Sequence, residues 1–345
     1  MSPGTVATTL VLSFICLATT ASNILVFVAV GYSRNLRTVS NTFIVSLSIA
    51  DILLATVVMI PATLNQVYGH WVLAQGFCSI WASFDVMLCS ASVLNVCAIS
   101  FDRYLAIISP LRYKALMTFR RALLLLAVLW IVAILSSFVP ITNGWHNPDV
   151  PSLVNLTMFT SEAQCLLIVS LPYALLAGTI TIMLPIIIAL VLYFKVSEEA
   201  RRQALFVRTL IAPSRVLLGQ DVSSKSVREP FTRKATVTLG VIVGAYVVTW
   251  TPFLITNIVD AACTCVPPKL FTAFVWLGYC NSLINPIIYP LLMRDFRKVY
   301  MKLLLICCPR LKFLKKKSKE VLQKDIEKAF VNGHSQSNGI KSDSV

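Results

Sequence analysis

The residues of this chain that could do chemistry are acids in places where acids are costly. Asp51 stands in "LSIADILLA", Asp85 in "SIWASFDVMLCSAS", and Asp102 in "FDRY" beside Arg103. Each falls inside a long apolar run, where an ionised side chain costs at least about 2.5 kcal/mol if the run crosses a bilayer. Asp85 lies two helical turns past Cys78, within reach of a ligand entering from the outer face. Asp51 lies deeper. Ser92, two turns below Asp85, can approach its depth, as can Asn285 of "CNSLINPIIY", while Asn23 and Asn281 add amides in the first and last runs. A carboxylate among hydroxyls and amides is a hard oxygen site suited to a small cation and water. The competing reading is a polar network that only specifies helix packing. Asp102 and Arg103 read as an interfacial ion pair or as a switch that can release its arginine.

The elements that must position these groups are membrane helices. Of 345 residues, 57% are hydrophobic and only 13% charged, with a mean hydropathy of +0.78, too little charge for the surface of a soluble domain. Seven apolar runs, at about 6–32, 38–66, 76–108, 122–141, 168–194, 235–260 and 270–291, are each long enough to span. The first lacks a basic leader and a cleavage site, so it reads as a retained span. Asp85 and Arg103 are 18 residues apart, which at 1.5 Å per residue puts them roughly 27 Å apart along one helix. One is therefore near the outer face and the other at the inner edge.

The formal charge of +15 is not a nucleic-acid signature, because its distribution is alternating. Arg34 and Arg37, then Arg112, Lys114, Arg120 and Arg121, then Arg201 to Arg228, then Lys312 to Lys319 all fall on one side. The other side carries little more than His70, His146 and Lys269. This positive-inside pattern predicts an outer N-terminus and a cytoplasmic C-terminus, with anionic lipid as the partner of the basic surplus. Cys78 and Cys165 both fall outside and can meet in an oxidising space. A local bridge between Cys263 and Cys265 is left open. Cys307 and Cys308, in a basic amphipathic segment, suit palmitoylation, and Asn155 in "NLT" suits glycosylation. Cys16, Cys89, Cys97 and Cys280 read as small apolar fillers. Pro61, Pro140, Pro185, Pro252 and Pro286 each remove a backbone hydrogen bond and bend a span.

Taken together and in order, these residues resemble the rhodopsin-like (class A) G-protein-coupled receptors over roughly 10–310. The resemblance is carried by Asn23, "LSIAD" with Asp51, Trp71 and Cys78, "FDRYLAI", Trp130, Pro185 with Tyr193, "TWTPF" with Trp250 and Pro252, "NPIIY" with Asn285, Pro286 and Tyr289, and "RDFRK" with Phe296. It implies an all-α bundle of seven transmembrane helices with a short amphipathic eighth, a receptor domain over 1–310 and a largely disordered cytoplasmic tail over 311–345. It implies a plasma-membrane receptor and no enzyme. Asp102, Arg103, Tyr193, Pro252, Pro286 and Tyr289 would form the activation switch. Asp51, Asn23, Ser92, Asn281 and Asn285 would form a network able to hold sodium.

Within the family the chain looks aminergic. Asp85 falls where such receptors hold the amine, and "WLGYCNS" places Trp276 and Tyr279 to complete the cage. The ligand set so implied is Asp85, Val86, Cys89, Ala177, Thr181, Trp250, Phe253, Leu254, Asn257, Trp276 and Tyr279. Serotonin suits it: the ammonium meets Asp85, the indole meets aromatic faces, and Thr181 can accept from the indole N–H. The implied partner is the stimulatory G protein that raises cyclic AMP, with arrestin and receptor kinases further on. Two positions depart from relatives. Leu254 replaces an aromatic expected after "TWTPF", and Gly178 replaces a small polar residue. Thr232 stands where many relatives have an acid facing Arg103, which implies basal signalling; equal cyclic AMP in cells with and without the unliganded chain would refute that. Other amines (dopamine, tyramine or octopamine, histamine) are the alternative, although Ala177 and Gly178 lack the serines that catechols use. A retinal photoreceptor would need a lysine in the seventh run, which has none. A transporter would need a continuous polar path and internal repeats, and neither is visible.

Overall fold

The computed structural model describes residues 3–74, 76–147, 165, 167, 169–217 and 231–307, with the side chains at 207, 208, 210–217, 231–235, 304, 305 and 307 outside that description. Asn155, Cys308 and the tail 311–345 fall outside the described residues, as do the side chains of Thr232 and Cys307. Among the described residues, seven helices are long and apolar enough to cross a membrane. They are α1 (Pro3–Tyr32), α2 (Val39–Tyr68), α3 (Phe77–Ile108), α4 (Phe119–Thr142), α5 (Leu171–Gly178 continued by Thr179–Met183 and Leu184–Leu217), α6 (Phe231–Cys263) and α7 (Pro268–Leu292). A short α8 (Arg294–Cys307) follows.

The helices start and stop where local chemistry dictates. The Thr38 and Thr118 side chains accept from the backbone N–H groups of Asn41 and Arg121, capping α2 and α4. Gly69, at φ 74°, ends α2 in the left-handed conformation that a side chain would oppose. Two spans are not plain α-helix. Leu54–Met59 in α2 and Thr179–Met183 in α5 are π-helical, and each lies just before a proline, Pro61 and Pro185. The sequence predicts bends at these prolines. The structure instead widens the turn ahead of each, a device that recurs at functional sites because it re-phases the side chains that follow.

α3 is the axis of the bundle. In its most apolar window 67% of residues are buried, against 22% for α4 and 28% for α1. The outer helices turn leucines and phenylalanines such as Leu10, Phe14, Leu124 and Phe194 outward, as a lipid-facing surface requires. Polar residues point inward: Asn23, Asp51, Asn95, Ser100 and Asn285 are all buried. α5 continues well beyond the apolar run that ends near 194, because the polar segment after it remains helical to Leu217. At the other end of the chain, Phe296 of α8 is fully buried between Tyr289 and Tyr300, with ring centroids 5.5 and 6.3 Å away, and this pins the short helix to the bundle.

Candidate functional site

Three polar centres lie along the bundle, and the first opens into a cavity of about 700 Å³ at the end that carries the disulfide. Cys78 at the start of α3 is bonded to Cys165, with Cα atoms 5.8 Å apart, so the loop residues Cys165 and Leu167 become part of the cavity wall. Cys263 is bonded to Cys265, which resolves the bridge that the sequence leaves open. Asp85 is half-buried on the cavity wall. Its Oδ2 accepts from the Tyr279 hydroxyl at 2.9 Å and its Oδ1 from the Cys89 thiol at 3.4 Å. A thiol is a weak donor, so Oδ1 retains most of its capacity as an acceptor. Cys89 is therefore more than an apolar filler, since it touches the carboxylate.

All eleven residues of the implied ligand set line this one cavity: Asp85, Val86 and Cys89 from α3, Ala177 and Thr181 from α5, Trp250, Phe253, Leu254 and Asn257 from α6, Trp276 and Tyr279 from α7. The aromatic faces are held edge to face. Trp250 meets Phe253 at 5.8 Å, and Trp276 meets Tyr279 at 5.4 Å. Trp250 sits close against α7 because residue 278 is glycine; a Cβ there would come within 3.3 Å of the indole. The Thr181 hydroxyl donates to the Ala177 carbonyl at 2.7 Å. With its proton committed, it offers lone pairs to the cavity and so acts as an acceptor. The two departures face each other, for a Cβ on Gly178 would meet Leu254 Cδ2 at 3.4 Å.

Several cavity residues carry no sequence signal. Phe271 stands edge-on to Phe253 at 6.0 Å. Asn65 and Gln66, at the end of α2, also line the wall. Asparagine and glutamine near a helix end look like solvent-facing residues. The π-turn ahead of them, which alters their phase, cannot be read from residue spacing.

The second centre surrounds Asp51, which is fully buried. Oδ1 accepts from Ser282 at 2.8 Å and from Ser92 at 3.2 Å, and Oδ2 accepts from Asn285 at 3.1 Å. Tyr246 joins the group through Ser92 at 2.7 Å and Asn285 at 3.3 Å, a member that the sequence analysis does not name. Asn281 stands beside the Tyr246 hydroxyl. Asn23 is not a ligand of the carboxylate; its amide donates to the carbonyls of Thr19 and Ser282. It ties α1 to α7 instead. Among the described residues, Asn281 Oδ1 and Asn285 Oδ1 are buried without a donor. A carboxylate, two serine oxygens and two idle amide oxygens fit a small hard cation such as sodium.

The third centre is Asp102 with Arg103, at the opposite end. The ion pair is long, 3.9 Å from Nε to Oδ2. The short bonds of Asp102 go to neutral hydroxyls, those of Ser40 and Tyr113, each at 2.6 Å. Burial and the bond to Asp102 push the Tyr113 phenol up to about 12, so it remains a donor. Arg103 and Tyr289 line a cavity of about 860 Å³. Tyr193 is not among the residues that line it here, where Arg103 still stands beside Asp102. Its ring packs onto Gly240, where a Cβ would sit 2.8 Å from it, because α5 and α6 are in close contact there. Pro252 and Pro286 lie within α6 and α7.

Among the described residues, seven helices long and apolar enough to cross a membrane surround a cavity beside one half-buried carboxylate. The chain matches the 7 transmembrane receptor (rhodopsin family) over residues 22–289 and belongs to that family, whose members are receptors and not enzymes. It is 44% identical to the 5-hydroxytryptamine receptor 6 of Rattus norvegicus over 291 residues, 79% of this chain and 65% of that one. It is 35% identical to dopamine receptor 1 of Drosophila melanogaster over 323 residues, 86% and 63% of the two chains. It is 37% identical to the histamine H2 receptor of Homo sapiens over 302 residues, 87% and 79%. The chain therefore spans slightly under two thirds of the first two relatives, and these relatives place it in the aminergic branch of the family.

Proposed function

We propose that this chain is a plasma-membrane receptor for a biogenic amine, with serotonin as the amine, coupled to the stimulatory G protein and cyclic AMP. The N-terminus is outside and the C-terminus in the cytoplasm, so the disulfide end faces the ligand. The observation that carries the reading is Asp85: a carboxylate on the wall of an aromatic-lined cavity, with one oxygen held by Tyr279 and the other, among the described residues, bonded to a weak thiol donor alone. An ammonium supplies the missing charge-assisted hydrogen bonds in a low-dielectric setting. Thr181, with its proton committed to Ala177, can accept from the indole N–H of serotonin, while Ala177 and Gly178 offer no hydroxyl to a catechol. The likeness to the rat 5-hydroxytryptamine receptor 6 points the same way.

The mechanism is a shift of population between two packings. An amine held by Asp85 draws α5 and Trp250 together, α6 turns outward about Pro252, and Arg103 leaves Asp102. With Tyr289 it then faces the helix of a G protein, and later that of an arrestin after receptor kinases have acted. Tyr193 joins the wall of the Arg103 cavity by leaving Gly240. Sodium, when bound, would be held by Asp51 with Ser92, Asn281 and Asn285, and would supply positive charge next to Asp51.

Cells expressing the chain, challenged with serotonin, dopamine, tyramine and histamine and read by cyclic AMP, test the proposal. Serotonin is expected to be the most potent, and Asp85→Asn is expected to abolish the response at the same surface amount. Full potency in Asp85→Asn would refute amine recognition at this site. Greater potency for histamine or dopamine would move the ligand and leave the class intact.

A further inference from the structure

The end of α2 presents two adjacent amides, Asn65 and Gln66, to which amine recognition as described so far gives no role. One step along a helix turns the side chain by about 100°, and here that step sends the amides to different walls. The Asn65 amide donates to the Cys165 carbonyl at 2.9 Å, and its oxygen accepts from the Cys165 N–H at 3.2 Å, so it holds the loop. Gln66 Oε1 accepts from the indole N–H of Trp276 at 2.9 Å, so it holds α7.

Trp276 is 7% exposed, and its indole has one polar atom, a donor that needs a partner when buried. Gln66 is that partner. The Trp276 ring stands edge-on to Tyr279, 83° between planes, and the Tyr279 hydroxyl donates to Asp85 Oδ2 at 2.9 Å. A continuous series of contacts therefore leads from the end of α2 to the carboxylate, through two rings whose orientations depend on one another.

We propose that Gln66 is a positioning residue of the amine site. Its side-chain carbonyl holds the Trp276 indole in the orientation against which Tyr279 rests, and so keeps the Tyr279 hydroxyl on Asp85. The inference rests on the amine-receptor reading above. Gln66 acts through Trp276 and Tyr279, and the ammonium never touches it. Losing the acceptor frees the indole to turn, which removes the edge that stops Tyr279 from rotating away from Asp85.

The test is binding of radiolabelled serotonin to membranes from cells expressing the full chain, with surface amounts read from an epitope tag. Gln66→Leu is expected to weaken binding about twofold to fivefold, no more than the loss of the one hydrogen bond it secures. Trp276→Phe removes the same bond from the other side and, because Trp276 also lines the cavity, is expected to lose at least as much, which covers the case in which Gln66→Leu fails to reach the surface. The decisive arm is Gln66→Leu in a Tyr279→Phe background. If Gln66 works through the Tyr279 hydroxyl, it adds no further loss there, because coupled residues are not additive. Additive losses overturn the inference and make Gln66 a direct ligand contact. So does unchanged binding in both single variants of a chain that binds serotonin. A wild-type chain that binds no amine, and that Asp85→Asn leaves unaltered, sinks the receptor reading itself and this inference with it.

Discussion

The two deeply placed carboxylates of this bundle have opposite surroundings. Asp51 is fully buried and accepts from two serine hydroxyls and an asparagine amide. Asp85 is half-buried, accepts from one phenol and one thiol, and faces a cavity of about 700 Å³. The first is nearly saturated by its own chain and the second is not. A carboxylate left short of donors beside open space is in want of a partner from outside, whereas one enclosed by donors from α3 and α7 joins helices. The same residue type thus serves recognition in one place and internal coupling in the other, and the donor count tells them apart.

That contrast orders the effects expected from substitution. The largest belongs to Asp85→Asn, which removes one member of a desolvated ion pair. Amine affinity is expected to fall by about 2–5 kcal/mol, read as a rightward shift in displacement of a radiolabelled amine. Tyr279→Phe comes next. Losing one hydrogen bond to the carboxylate is expected to weaken the amine by about 1 kcal/mol, roughly fivefold, in the same assay. Asp51→Asn is smaller still for binding. No member of the Asp51 group lines the cavity, so affinity is expected to stay within about threefold, while basal and stimulated cyclic AMP both change because the α3–α7 connection is altered. A loss in Asp51→Asn as large as that in Asp85→Asn would erase the distinction between the two sites.

Much of this was legible in the residues themselves. Seven spans, the depth of each acid and the pairing of Cys78 with Cys165 follow from hydropathy, rise per residue and compartment, or from the family resemblance. The placing of Trp276 and Tyr279 beside Asp85 is likewise anticipated. What was not legible depends on the rotation of helices about their own axes. Tyr246 joins the Asp51 group, Tyr193 turns onto Gly240 and Asn23 bonds Ser282, and each depends on how neighbouring helices are phased. The π-turns at Leu54–Met59 and Thr179–Met183 shift that phase by an amount that residue spacing does not encode. The hold of Ser40 and Tyr113 on Asp102 is hidden for another reason. Those residues are 62 and 11 positions away, and only the docking of the link between α3 and α4 brings the phenol under the acid.

The finest test of the contrast between an open site and a closed bundle uses one substitution at two glycines. Alanine in place of glycine within a helix is worth about 0.5–1 kcal/mol from backbone entropy alone, so the sign of the net effect reports the space available. At Gly178 the new Cβ would meet only the tip of Leu254 at 3.4 Å, an ordinary contact with a flexible side chain. At Gly240 it would come within 2.8 Å of the Tyr193 ring, which must then move. Gly178→Ala is therefore expected to raise the half-inactivation temperature of the solubilised receptor slightly and to leave amine affinity within about fivefold, since a single methyl alters a pocket contact by less than about 1 kcal/mol. Gly240→Ala is expected to lower that temperature. A loss of amine affinity beyond about tenfold in Gly178→Ala would mean that the bound amine fills the recess between Gly178 and Leu254. In that case the departures at these two positions would themselves decide which amine the receptor accepts.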